Sequence, residues 1–172
     1  PSPEQLAAVA PTPDDPWADK PRLNILLLGG DADKNRVGTR TDTVILASIN
    51  TATGNTTLFS LPRNTGRMPF PKDSPLRKYY PHGFTNGDGN NAEYFLNAMY
   101  DNVPNTVPKN VLGETDNLGA DALKLSVGDA LGLKVDYYVL INLQGFRLPF
   151  GAELNLGTIW LQRDRNFTVA DY

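Results

Sequence analysis

The 172-residue sequence contains no cysteine and a single histidine, His82. Without cysteine there is no thiolate nucleophile, no cysteine metal site and no disulfide, and cysteine usage carries no redox evidence for a compartment. One histidine leaves a Ser/His/Asp triad or a multi-histidine metal centre almost nothing to draw on. His82 sits in Tyr79-Tyr80-Pro81-His82-Gly83, whose residues read as turn and supply no partner, so it is assigned no role. Apolar runs are short, and none approaches the roughly 20 residues that a membrane helix needs. Excess charge is lacking too: 16 basic residues against 19 acidic ones leave a net charge of -3, with no sequence-wide attraction to nucleic acid or anionic lipid. No nucleic-acid partner is expected. The G-x-x-x-x-G-K-[ST] and G-x-G-x-x-G signatures are absent, since Gly29-Gly30-Asp31 fits neither, which sets those modes of nucleotide binding aside. Any chemistry falls to carboxylates and arginines, at a local site.

Six prolines lie within the first 21 residues, a density that disfavours helix and strand and reads as an extended lead-in or linker over 1–21, with Trp17 free to dock on the body. The start at Pro1-Ser2-Pro3 is neither an initiator methionine nor a signal peptide, as in a piece of a longer protein. Residues 22–172 are long enough for one domain with its own core. Leu23 to Leu28 is nearly all apolar and predicts a buried strand ending at Gly29-Gly30-Asp31. Thr43 to Ile49 predicts a second central strand, and the turn residues from Asn50 to Asn55 return the chain as a third, Thr56 to Leu61. Pro69 to Asn90 carries four prolines and reads as a long surface loop. Asn90 or Asn91 can cap a helix through Tyr100, with Ala92, Phe95, Leu96 and Met99 at helical spacing; that stripe reads as core. A second helix is expected from Gly119 to about Leu131 with Gly132 as its stop, then a strand from Val135 to Leu143 and another, interrupted by Gly157, from Leu154 to Leu161. Alternating strands and helices make this an α/β protein: a layered α-β-α domain with a central mixed sheet flanked by helices.

The topology gathers charge at one sheet edge. Asp31 follows the first strand, Asp42 opens the second, and the hairpin brings Arg63 back to the end where the second strand began. Arg40 lies two residues before Asp42, which points both to one face if the backbone is extended there, and Arg163 and Arg165 repeat that spacing. Several guanidiniums in one place repel unless an anion lies between them, and two carboxylates beside them can hold a hard divalent cation. The pattern describes a metal-bridged pyrophosphate site; the plainer reading, surface ion pairs worth about 0–1 kcal/mol, stands beside it on topology alone. Asp33 and Arg36, in the same loop as Asp31, are read as solvated charges.

Three ordered segments, Ile25-Leu26-Leu27-Leu28-Gly29-Gly30-Asp31, Arg40-Thr41-Asp42-Thr43 and Ser60-Leu61-Pro62-Arg63-Asn64-Thr65, resemble the opening signature of the LytR-CpsA-Psr family. Gly119-Ala120-Asp121-Ala122, Gly132 to Tyr138 and Asn142-Leu143-Gln144-Gly145-Phe146 are similar to that family's middle, in an actinobacterial style. The resemblance implies an extracytoplasmic domain held at the cell membrane by a helix upstream of Pro1. It further implies a magnesium-dependent phosphotransferase that moves a glycopolymer (arabinogalactan, teichoic acid or capsule) from a polyprenyl pyrophosphate carrier to a peptidoglycan muramic acid hydroxyl. On this resemblance Asp31 and Asp42 match the acidic positions that hold Mg2+. Arg40 and Arg63 match the pyrophosphate-contacting arginines, and Arg163 and Arg165 the later R-x-R pair. Either aspartate is then a candidate to take the acceptor's proton, and a loop-rich rim such as Pro69 to Asn90 would admit the isoprenoid.

The sequence departs from the family pattern at three places. Asn64 stands where many relatives carry aspartate, the glycine-rich stretch expected after Gly145-Phe146 gives way to Arg147-Leu148-Pro149-Phe150, and a basic, glutamine-containing helix expected beyond Asp171-Tyr172 is not in the sequence, so the domain reads as incomplete at its C-terminal side. Two other functions use the same residues: a hydrolase, with water in place of the sugar hydroxyl, and a non-catalytic module that binds the lipid carrier. Carboxylates aimed at an anion argue against the latter unless a metal intervenes.

Overall fold

The structure is a computed structural model and describes residues 19–30, 39–88, 91–142 and 159–161. Its centre is strand β1, Arg22–Gly30, in which Leu26 and Leu28 alternate with half-buried Ile25 and Leu27. Strand β2, Thr41–Asn50, lies antiparallel to it with Leu28 opposite Val44 and Leu26 opposite Leu46, and β3, Thr56–Ser60, continues the meander along β2. The turn between β2 and β3 is held by Asn50, whose Oδ1 accepts from the Ala52 and Thr53 N–H groups at 3.0 Å each. On the other side of β1 runs β4, Tyr137–Asn142, parallel to it and in register from Ile25↔Tyr137 to Gly30↔Asn142, and β5, Ile159–Leu161, pairs antiparallel with β4. The sheet is therefore mixed, in the order β3-β2-β1-β4-β5, as expected. Among the described residues the strands differ from expectation only at their ends, while residues 154–158 of the last expected strand and the lead-in residues 1–18, Trp17 among them, lie outside the described residues.

Two helices follow the meander. Helix α1 spans Met99–Thr106 and helix α2 spans Leu118–Leu131. The Asn117 side chain caps α2 by accepting from the Ala120 N–H at 3.0 Å, and Gly132 closes it at φ 66°, a left-handed conformation that only glycine adopts without strain. Gly119 faces α1 so closely that an added Cβ would lie 2.0 Å from the Tyr100 carbonyl oxygen. Met99 and Val103 of α1 and Ala122, Leu123 and Val127 of α2 pack with Leu26, Leu28, Val44, Leu46, Tyr138 and Leu140 of the sheet into one core. Among the described residues the helices thus cover one face of the sheet. The opposite face carries Ile25, Leu27, Ile45 and Val139, half-buried and outside that core, with Leu58 62% and Ile141 37% exposed.

Two local expectations are corrected. The segment from Pro69 to Asn90, described as far as residue 88, is more than a surface loop: Phe70, Leu76 and Phe84 are fully buried and Tyr80 nearly so, and Phe70, Tyr80, Phe84 and Tyr94 contact one another in series with ring centroids 5.1–5.5 Å apart. Its prolines shape a packed excursion around a 3₁₀ turn at Pro75–Lys78, where four anchoring side chains outweigh the turn signals. It therefore contributes to the core while Lys72, Asp73, Tyr79 and His82 stay exposed. The helix expected from Asn91 to Tyr100 is broken. Asn91 does cap a turn, Ala92–Tyr94, but Phe95 is extended at φ -83°, ψ 160°, and a second 3₁₀ turn, Leu96–Ala98, precedes α1. The break frees two N–H groups from helical bonding, and both reach across the fold: Leu96 N–H donates to the Thr65 carbonyl at 2.9 Å and Asn97 N–H to the Arg63 carbonyl at 3.0 Å.

Candidate functional site

The start of β2, the loop after β3 and the broken helix meet at one end of the sheet. The hairpin returns β3 to where β2 begins, and Leu61 N–H still bonds the Val44 carbonyl at 3.0 Å, so Pro62-Arg63 leaves the sheet beside Asp42. Pro62 lacks the N–H that would extend the pairing. The loop then turns tightly, the Thr65 N–H and Oγ1 both donating to the Pro62 carbonyl at 3.0 and 2.7 Å. This geometry sets Arg63 Nη1 3.0 Å from Asp42 Oδ1. From the other side the Asn97 Nδ2 donates to the same Asp42 oxygen at 3.2 Å. The nearest Arg63 approach and the Asn97 hydrogen bond both fall on Oδ1, and Oδ2 accepts no hydrogen bond among the described residues. Arg63 is largely exposed, its side chain at 62% against 31% for Asp42, so the pair faces solvent from a supported base.

Arg40 does not share that carboxylate. Its Nη2 makes a close ion pair with Oε1 of Glu93, in the Ala92–Tyr94 turn. Glu93 is itself anchored, its carbonyl accepting from Asn102 Nδ2 of α1 at 2.5 Å. Both arginines and Asp42 therefore contact the same stretch, residues 93–97, and the charge expected at this edge is present for Arg40, Asp42 and Arg63. Asp31, Arg163 and Arg165 lie outside the described residues, as do Asp33 and Arg36. His82 is exposed in a turn. Among the described residues no group of three or more His, Cys, Asp and Glu side chains gathers that would hold a metal by itself.

Glu93 and Asn97 are the site residues that pattern reasoning missed. On a continuous helix from Asn91, Asn97 would count as one more polar position; the extended Phe95 turns it inward, where it is only 8% exposed. The available signal was a polar residue set between Leu96 and Ala98-Met99, all of which are buried. Elsewhere, a groove of about 760 Å³ runs along the second half of α2, lined among others by Asp73, Lys124, Asp129 and Lys134. None of the residues above lines it, and its mixed charges favour neither anion nor cation, so the chemistry is assigned to the sheet edge.

Comparison with known proteins gives a family match and a set of relatives. The model of the LytR_cpsA_psr family matches residues 4–148. A polyisoprenyl-teichoic acid–peptidoglycan teichoic acid transferase, TagU of Oceanobacillus iheyensis, is 26% identical over 157 residues, covering 91% of this chain and 39% of that protein. The chain thus spans well under half the length of this curated relative. Among solved structures, gbs0355 of Streptococcus agalactiae is 28% identical with a TM-score of 0.44, over 74% of this chain and 35% of that one. TagV of B. subtilis is 22% identical with a TM-score of 0.45, over 74% and 38% respectively. With a match that takes in β1, β2, β3, both helices and β4, the chain belongs to the LytR_cpsA_psr family.

Proposed function

We propose that this domain is the pyrophosphate-handling part of a phosphotransferase, moving a glycopolymer from a polyprenyl pyrophosphate carrier to a peptidoglycan hydroxyl at the outer face of the cell membrane. The observation that carries this reading is the Asp42–Arg63 pair, two opposite charges on separate elements, joined at one carboxylate oxygen and supported from behind by Asn97. The family membership and the name of the teichoic acid transferase it resembles point the same way.

A carboxylate oxygen that accepts no hydrogen bond among the described residues, at a solvent-facing edge, fits Mg2+, which keeps several waters and takes one or two carboxylates beside substrate phosphate oxygens. Asp42, joined by Asp31 on the family resemblance, would hold it, and it would supply positive charge to the pyrophosphate oxygens. The chain's own residues do the rest. Arg63 donates N–H groups to the sugar-side phosphate, and Arg40, exchanging Glu93 for the ligand, clamps the second phosphate; Arg163 and Arg165 add to this on the resemblance. The acceptor oxygen attacks the sugar-side phosphorus, the bond to the bridging oxygen breaks, and the lipid phosphate leaves with the electron pair. The hydroxyl proton passes to a carboxylate, Asp42 or Asp31. No helix among the described residues is long and apolar enough to cross a membrane.

Release of phosphate products from geranyl pyrophosphate, with and without Mg2+, tests the proposal. Arg63→Ala is expected to lose about 100-fold in turnover, as for removal of one preorganised charge. Turnover near that of the unmodified chain would overturn the assignment. Product release that needs no acceptor would identify hydrolysis, and binding without turnover a carrier-binding module.

A further inference from the structure

Asn97 is a polar residue where the packing asks for an apolar one. It is 8% exposed, yet its Oδ1 is buried with no hydrogen-bond partner among the described residues, a cost that a leucine of similar size would avoid. Its other polar atoms are both committed to the site: the backbone N–H to the Arg63 carbonyl at 3.0 Å, and Nδ2 to Asp42 Oδ1 at 3.2 Å. Arginine and carboxylate side chains left to themselves favour a two-point fork, in which both oxygens are taken up and most of the guanidinium's directed donors are spent. Here no such two-point fork of hydrogen bonds forms, and the ion pair approaches at Nη1 to Oδ1, 3.0 Å.

We infer that Asn97 is a positioning residue that keeps Asp42 and Arg63 from closing on each other, holding Oδ1 so that Oδ2 stays available to a divalent cation and the rest of the guanidinium to an anion. The inference rests on the proposed role of Asp42 as a cation ligand. Removing the amide lets the carboxylate swing into the fork with Arg63, and cation binding weakens through Arg63, not through loss of fold. This differs from a purely structural role in one respect: deleting Arg63 as well removes the competitor and restores the cation site.

The test is Mn2+ binding to the full chain, read by water-proton relaxation without any substrate, Mn2+ being a hard, oxygen-preferring ion like Mg2+. Asn97→Leu is expected to weaken binding about 10-fold, in the range seen when a residue supporting a metal ligand is removed. The double variant Asn97→Leu with Arg63→Ala is expected to recover most of that loss. Asn97→Ser, smaller and still polar, replaces Asn97→Leu if the leucine variant does not fold, with the same expectation. Unchanged Mn2+ affinity in the Asn97 variants, or a loss that Arg63→Ala does not restore, overturns the inference while leaving the site assignment intact, provided Asp42→Asn still abolishes binding. If the unmodified chain binds no Mn2+ that Asp42→Asn removes, the inference and the proposed cation site fall together.

Discussion

Arg40 and Arg63 reach the same edge but hold different carboxylates, and the difference predicts different behaviour. Arg63 faces Asp42 across a supported contact, whereas Arg40 is paired with Glu93, whose side chain is 60% exposed. An exposed pair of this kind is worth about 0–1 kcal/mol, so an anionic ligand displaces Glu93 from Arg40 at little cost. Glu93→Gln removes the internal competitor and is expected to tighten binding of a pyrophosphate analogue by up to about 5-fold, measured by isothermal titration at fixed ionic strength. Weaker binding would mean that Glu93 orients Arg40 instead of competing for it. The convergence of Arg40, Asp42 and Arg63 was legible from strand order alone, because a hairpin must return its second strand to where the first began. Glu93 and Asn97 were not legible, since their places depend on a break in a helix whose apolar spacing reads as continuous.

At the scale of elements, that break and the approach of α1 to α2 have one origin, the bonding of residues 93–100 to neighbours other than their own helix. Leu96 and Asn97 give their N–H groups to the loop after β3, and the Tyr100 carbonyl lies against Gly119. Periodicity identified α2 well, with Asn117 as its cap and Gly132 as its end, because those signals are local. It misjudged Pro69 to Asn90 because turn residues outnumber the four aromatic and aliphatic anchors that fix the segment in the core. Gly119→Ala places a Cβ 2.0 Å from a backbone oxygen, and neither helix can yield without disturbing the core beneath. A loss of about 1–3 kcal/mol is expected, seen as a lower urea midpoint with an unchanged slope. An unaltered midpoint would show that the helices pack less closely than described.

For the molecule as a whole, stability at high pH is tied to two phenols. Tyr80 and Tyr138 titrate above the ordinary 10.0, each chiefly through burial; the Thr106 hydrogen bond partly offsets this for Tyr80, and nearby Tyr100 adds to it for Tyr138. A phenol whose value is raised on folding contributes stability that is fully present below the unfolded value and is lost as pH rises through the folded one. Unfolding free energy is therefore expected to hold near neutrality and fall above about pH 10, with a shallower fall in Tyr80→Phe; equal slopes in both proteins would exclude Tyr80 as a source. The sheet itself has a further consequence. β1 is paired on one side with β2, which follows directly, and on the other with β4, more than a hundred residues later, with Ile25 opposite Tyr137. In chain order Asp42, Arg63 and Asn97 all precede β4, so the first three strands can pair before β4 is there to join β1. Until then the middle strand of the sheet is an open apolar edge, the kind of surface on which unfinished chains associate. The need for protection is therefore greatest in the interval before β4 docks on β1.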